Sequence, residues 1–201
     1  MERQLGHLDQ AEQDYLIAQS LYQSQQQQQG LGHVALALGN IEMQHAHLQD
    51  AAHHYQEAIS SLRAAADPAE IDALGSLANV QRLTGSFSEA EVNCRLAREK
   101  YHACEDSSGE INALTGLGWI YLDAERLDAA SASFVEALGQ ARDLEDEQGE
   151  ADASLGLAEV SLRQNRVDQA LLEVQDAQRG GLLAEAALLA CFMPSLFSHN
   201  G

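Results

Sequence analysis

Apolar positions along this chain recur at intervals of three and four, the spacing that gathers side chains on one face of an α-helix. In "LGWIYLDAERLDAASASFVEAL" (117–138), small residues stand at Gly118, Ala130 and Ala137 with large apolar residues between them. The first part of that stretch, 117–130, aligns with "LANVQRLTGSFSEA" (77–90) and with "LAEVSLRQNRVDQA" (157–170), a shift of 40 residues each time. Upstream, "LGNIEMQHAHLQDA" (38–51) lies at a shift of 39, and the second half returns as "LGHLDQA" (5–11). The pattern is therefore one helical hairpin in several copies, the signature of a repeat architecture.

The register extends through each copy. A small residue recurs at Gly39, Ala78, Gly118 and Ala158, and alanine at Ala11, Ala51, Ala90, Ala130 and Ala170. Four residues on comes a packing residue (Tyr15, Tyr55, Cys94, Phe134, Val174), and three further on Ala18, Ala58, Ala97, Ala137 and Ala177. Small residues at those points let neighbouring helices approach closely, which requires a helix in front and one behind. Helix pairs are expected near 31–45 and 48–65, 70–84 and 87–104, 110–124 and 127–144, and 150–164 and 167–179. Gly30, Gly109 and Gly149 recur in register and are read as lying just past one helix, with Glu opening the next. The run Gln25–Gln29 is read as the solvated end of the first helix.

These residues resemble the tetratricopeptide repeat (TPR) family over roughly 1–179, with a unit of about 40 residues against the commoner 34 or so. The resemblance implies an all-α, right-handed α-α superhelix (TPR solenoid) of antiparallel helix pairs, A and B. The expected organisation is an unpaired B helix over 1–29, four hairpins over 30–179, and a non-repeat tail over 180–201. Within that tail, 182–193 are read as a possible capping helix.

Composition agrees with this reading and narrows the function. Only two prolines occur, Pro68 and Pro194, so long helices are permitted almost throughout. A net charge of −20 opposes binding to nucleic acid or to anionic lipid and favours a partner of basic character. Three cysteines without a C-x-x-C fit a reducing, cytoplasmic setting. The N-terminus carries no apolar signal core, and the apolar stretch 181–197 is interrupted by Glu185 and Pro194, so no membrane association is expected.

Candidate chemistry is sparse. His45, His47, His53 and His54 straddle an expected A–B turn and are read as polar surface, because no Cys or acidic residue completes an obvious metal set. Cys94 holds a packing position and is read as core. Acidic runs such as 145–150 lack the order of a calcium loop. Phosphate-loop, dinucleotide and G-x-S-x-G motifs are absent. The expectation is no catalysis, no metal and no cofactor.

Binding is the remaining role. In the TPR family, helix A lines a concave groove, and the residue after the small position faces it. Here those residues are Asn40, Asn79, Trp119 and Glu159. Leu38-Gly39-Asn40 and Leu77-Ala78-Asn79 match the family's "L-G-N" asparagines, which hydrogen-bond a peptide backbone. One turn on stand Met43, Arg82, Leu122 and Leu162, and one turn back Leu36, Gly75, Thr115 and Leu155. The candidate groove is Asn40, Met43, Asn79, Arg82, Thr115, Trp119, Leu122 and Glu159, with Arg82 suited to a ligand carboxylate and Trp119 to anchoring. The expected function is a non-enzymatic scaffold or adaptor for a protein or peptide. Two alternatives stand beside it: a ligand-sensing regulatory segment of a larger signalling or transcription-control protein, and a homo-oligomer assembling end to end through uncapped helices.

Overall fold

A computed structural model of the chain describes residues 2–179, and among them every regular element is an α-helix. They are α1 (Glu2–Ser24), α2 (Gln28–Gln44), α3 (Leu48–Ala64), α4 (Glu70–Leu83), α5 (Phe87–Ala103), α6 (Ser107–Asp123), α7 (Leu127–Asp143), α8 (Glu147–Arg163) and α9 (Val167–Arg179). The expected capping segment 182–193 lies outside the described residues. Two compact units divide the chain within α5, at Lys100 and Tyr101. In the first, α1 packs on α2, α2 on α3 and α3 on α4; in the second, α6 packs on α7, α7 on α8 and α8 on α9, with α6 also touching α8. The architecture is an α-α solenoid of antiparallel helix pairs.

One device makes every turn. A residue with positive φ stands two before the following helix at Gln26, Ala46, Gly85, Glu105, Glu125, Glu145 and Asn165, and four before α4 at Ala66, where the link is longer. The next residue donates its N–H to the carbonyl five residues back, as from His47 to Glu42 (2.9 Å) and from Arg126 to Tyr121 (2.8 Å). This is the Schellman closure, which satisfies helix-end carbonyls and reverses the chain in three residues. The residue that closes one helix then precedes the next. Asp106 and Asp146 use this position to cap, accepting from Gly109 N (2.9 Å) and Gly149 N (3.0 Å).

Here the structure corrects the expected boundaries. Gly30, Gly109 and Gly149 are the third residues of α2, α6 and α8, not a link before them, and Gln28 and Gln29 open α2 rather than ending α1. The glycines are needed for close approach. A Cβ on Gly30 would meet the Tyr22 ring at 2.5 Å, and one on Gly109 would meet the Tyr101 ring.

Both helices of each pair contribute to the core, the A helices through residues such as Leu38, Leu74 and Leu114. Ala51, Tyr55, Ala58 and Leu62 of α3 are buried, as are Ala130, Phe134, Ala137 and Ala141 of α7. Phe134 lies against Gly118 of its own helix pair and Gly156 of the next; a Cβ on Gly118 would stand 2.5 Å from the ring. Tyr55 lies in the same way against Gly39, where a Cβ would stand 2.6 Å away. Its hydroxyl donates to Asn40 Oδ1 (2.8 Å) and is hydrogen-bonded to Ser76, the counterpart of Gly156. Burial raises the Tyr55 pKa, and the Ser76 bond partly offsets that rise. Glu70, buried in α4, accepts from Arg63 Nε (2.8 Å) and Lys100 Nζ (3.0 Å). Burial pushes its pKa up, but Lys100 and Arg63 outweigh that and leave it lowered.

Candidate binding surface

The A helices repeat one contrast. Each buries a small residue against its B helix and leaves the following residue uncovered. Gly39 is buried and Asn40 exposed; Ala78 is buried and Asn79 exposed. Gly118 is buried and Trp119 half-buried; Ala158 is buried and Glu159 half-buried. Helical geometry explains this, because a step of one residue turns the side chain by about 100° away from the buried stripe.

The eight sequence-derived residues divide between the two units. In the first, Asn40 shares its carbonyl oxygen with Tyr55, so the asparagine is oriented by the core. Asn79 Oδ1 accepts from Arg82 Nη2 (3.0 Å) and Nε (3.4 Å), so Arg82 lies along its own helix. Met43 is half-exposed one turn on from Asn40. In the second unit, Trp119 meets Phe134 edge-on, with centroids 5.2 Å apart and planes at 75°. Glu159 pairs with Arg163 at 3.0 Å. Thr115 is half-buried, and its Oγ1 is buried without a hydrogen-bond partner among the described residues.

Leu122 is a correction. It is 1% exposed, in an unbroken buried run with Ile120 and Tyr121, and belongs to the core rather than to a groove. Burying a leucine yields roughly 1.5–3 kcal/mol. Leu155, 5% exposed, is likewise core.

Other features of this surface escaped the sequence reading. An open cleft of about 800 Å³ in the first unit is lined by Tyr15, Tyr22, Gln26–Gln29, His33 and Ala65, among others. At its edge Asp67 Oδ2 accepts from Gln29 Nε2 (2.7 Å) and meets His33 Nε2 (3.0 Å). The Ala69 backbone N–H, then Gln29 and His33, hold the Asp67 carboxyl below its usual range. The sequence signal was present: Tyr15 occupies the packing position of a B-type helix, yet it is 37% exposed where Tyr55 is 2% and Phe134 0%. In the second unit a cleft of about 380 Å³ is lined by His102, Glu105, Asp106, Glu110 and Asp143, with neighbouring polar residues. The four histidines also resolve into pairs. His53 and His54 face Glu57, whereas His45 and His47 gather with Glu42, the acidic residue that the sequence reading lacked.

No protein-family model and no curated protein matches this sequence. Solved structures do match in fold. The crystal structure of BtubC (BKLC) from P. vanneervenii is similar with a TM-score of 0.70 and 19% identity, over 90% of this chain and 76% of that one. The apo form of RapI is similar with a TM-score of 0.65 and 11% identity, over 87% of this chain and 62% of RapI, less than two thirds of its length. These likenesses are of fold, and with the all-helical architecture they show a helical-repeat fold. Among the described residues, no helix is long and apolar enough to cross a membrane.

Proposed function

We propose that this chain is a non-enzymatic scaffold that binds a protein or peptide segment along the uncovered face of its A helices. One observation carries the reading: the residue after each buried small position is open at Asn40 and Asn79 and half-open at Trp119 and Glu159. Exposed amides donate and accept at once, which suits a peptide backbone. The preferred segment has basic character, consistent with the net charge of −20 and with the carboxylates lining the 380 Å³ cleft. Selection from a displayed peptide library tests it, with each selected peptide titrated against wild type and an Asn40→Ala/Asn79→Ala variant of unchanged helicity. Binding at least tenfold weaker to the variant supports the reading; equal binding to both overturns it.

A second reading has its own observation. On α1, Tyr15, Leu16, Ile17 and Leu21 are exposed, at 37%, 47%, 61% and 55%. Ile17 and Leu21, four residues apart, share one face of the helix; exposed apolar residues so placed suit an interaction surface, and self-association through it would assemble copies of the chain. Sedimentation velocity across a concentration series separates the readings. Mass that rises with concentration, and falls back to monomer in Ile17→Glu/Leu21→Glu, supports assembly; a monomer at every concentration removes it.

A further inference from the structure

Glu42 is a carboxylate with little water and no cation. Its side chain is 14% exposed, and its partner is the His47 ring, Nδ1 to Oε2 at 2.7 Å. Among the described residues no Arg or Lys pairs with it, in a chain with 31 acidic residues and 11 basic ones. Burying a carboxylate without positive charge is costly. The neighbouring groups are metal ligands: one donor atom each from Glu42, His45 and His47 falls within 4.8 Å of the others. The His45 and His47 rings meet edge-on, with centroids 5.7 Å apart.

We propose that Glu42, His45 and His47 form a site for a borderline divalent transition metal, of which Zn²⁺ is the representative, pinning the end of α2 to the start of α3. Zinc–nitrogen and zinc–oxygen bonds of about 2.0–2.2 Å place tetrahedral donors roughly 3.3 Å apart. The Glu42–His47 pair at 2.7 Å opens by about 0.6 Å, and donors that stand up to 4.8 Å apart close in. The metal takes the place of the Glu42–His47 hydrogen bond, binding His47 through Nδ1, and any proton it displaces passes to solvent. Two imidazoles and one carboxylate select zinc, nickel or copper over magnesium and calcium, which require more oxygen donors. Three protein ligands leave a fourth position for water or for a donor from a bound partner. The Schellman bond from His47 N to Glu42 O (2.9 Å) holds the backbone of the two outer ligands in register, so closing the site takes side-chain adjustment alone.

Calorimetric titration of the full chain with ZnCl₂ tests this, alongside His45→Ala, Glu42→Gln and a His53→Ala/His54→Ala control, each first checked for helicity. The expected result is one equivalent bound by wild type and by the control, at least tenfold weaker affinity in both ligand variants, and no binding of MgCl₂. Absence of zinc binding in wild type overturns the site, as does unchanged affinity in both ligand variants or loss in the control. Co²⁺ supplies a second readout. A spectrum of nitrogen and oxygen ligation supports the assignment, and a thiolate charge-transfer band overturns it by placing the metal on cysteine.

Discussion

Phe134 stands between two glycines, and the contrast among the helical glycines of this chain is a direct test of its packing. A methyl group on Gly118 or Gly156 would press into the Phe134 ring, whereas one on Gly75 or Gly139 would meet nothing within 4 Å. Gly118→Ala is therefore expected to destabilise its unit by about 1–3 kcal/mol through overpacking. Gly75→Ala is expected to stabilise by up to about 1 kcal/mol through helix propensity and a less free unfolded chain. Urea denaturation of the two variants checks the opposite signs. The cysteines form a second pair of contrasts. Cys94 is buried, and burial pushes its thiol up to about 12, while Cys104 is exposed. In a Cys191→Ser background, a thiol reagent should titrate Cys104 in the native chain and Cys94 only after unfolding. Rapid native reaction of both thiols would refute the packing of α5.

The helices owe their ends to tertiary-independent devices, and two of these carry predictions. Asp106 and Asp146 each cap the helix that follows, so Asp106→Ala and Asp146→Ala should each cost about 1 kcal/mol in the second unit. Denaturation midpoints measure this, and Asn at either position should restore most of the loss. In the first unit, Asp67 and Glu70 join the end of α3 to its neighbours, through Gln29 and His33 for the one and through Arg63 and Lys100 for the other. Both carboxyls have folded pKa values below their ordinary 3.8 and 4.5. A depressed carboxylate contributes its full stability above the ordinary value and loses it as pH falls through the folded value. Stability of this unit should therefore drop as pH falls below about 4.5. In Glu70→Gln that dependence flattens, at a cost near neutral pH of about 1–3 kcal/mol for lost charged hydrogen bonds. A Glu70→Gln variant with an unaltered pH profile from pH 6 to pH 3 would contradict the assignment.

Charge acts on the whole molecule. At −20 the folded chain repels itself, and salt screens that repulsion over a Debye length that shrinks from ~30 Å at 0.01 M to ~8 Å at 0.15 M. Thermal transitions should therefore rise with sodium chloride, since each gain of about 1 kcal/mol shifts Tm by roughly 2–4 °C in a chain of this length. Differential scanning calorimetry at two ionic strengths checks the direction. A Tm that falls with salt would mean that specific ion pairs, such as those around Glu70, outweigh the overall repulsion. The two compact units call for transitions to be fitted separately rather than as one two-state event.

The sequence by itself determined the helices, their pairing and the small residues on which they pack, because those depend on local spacing. Ala130 and Ala137 were legible as packing positions, and both are fully buried. Asn40 and Asn79 were legible as outward, because each follows a buried small residue. Tertiary structure alone decided the rest. Leu122 and Met43 share a register position, yet only the leucine is buried, since enclosure depends on what lies beside the last turn and not on helical phase. Gly109 and Gly149 were read as breaks and prove to be the third residues of helices, because the aspartate three residues before each supplies a cap. Glu42 joined His45 and His47 only once Ala46 took a positive φ, since a three-residue reversal brings together side chains that an extended chain would hold apart.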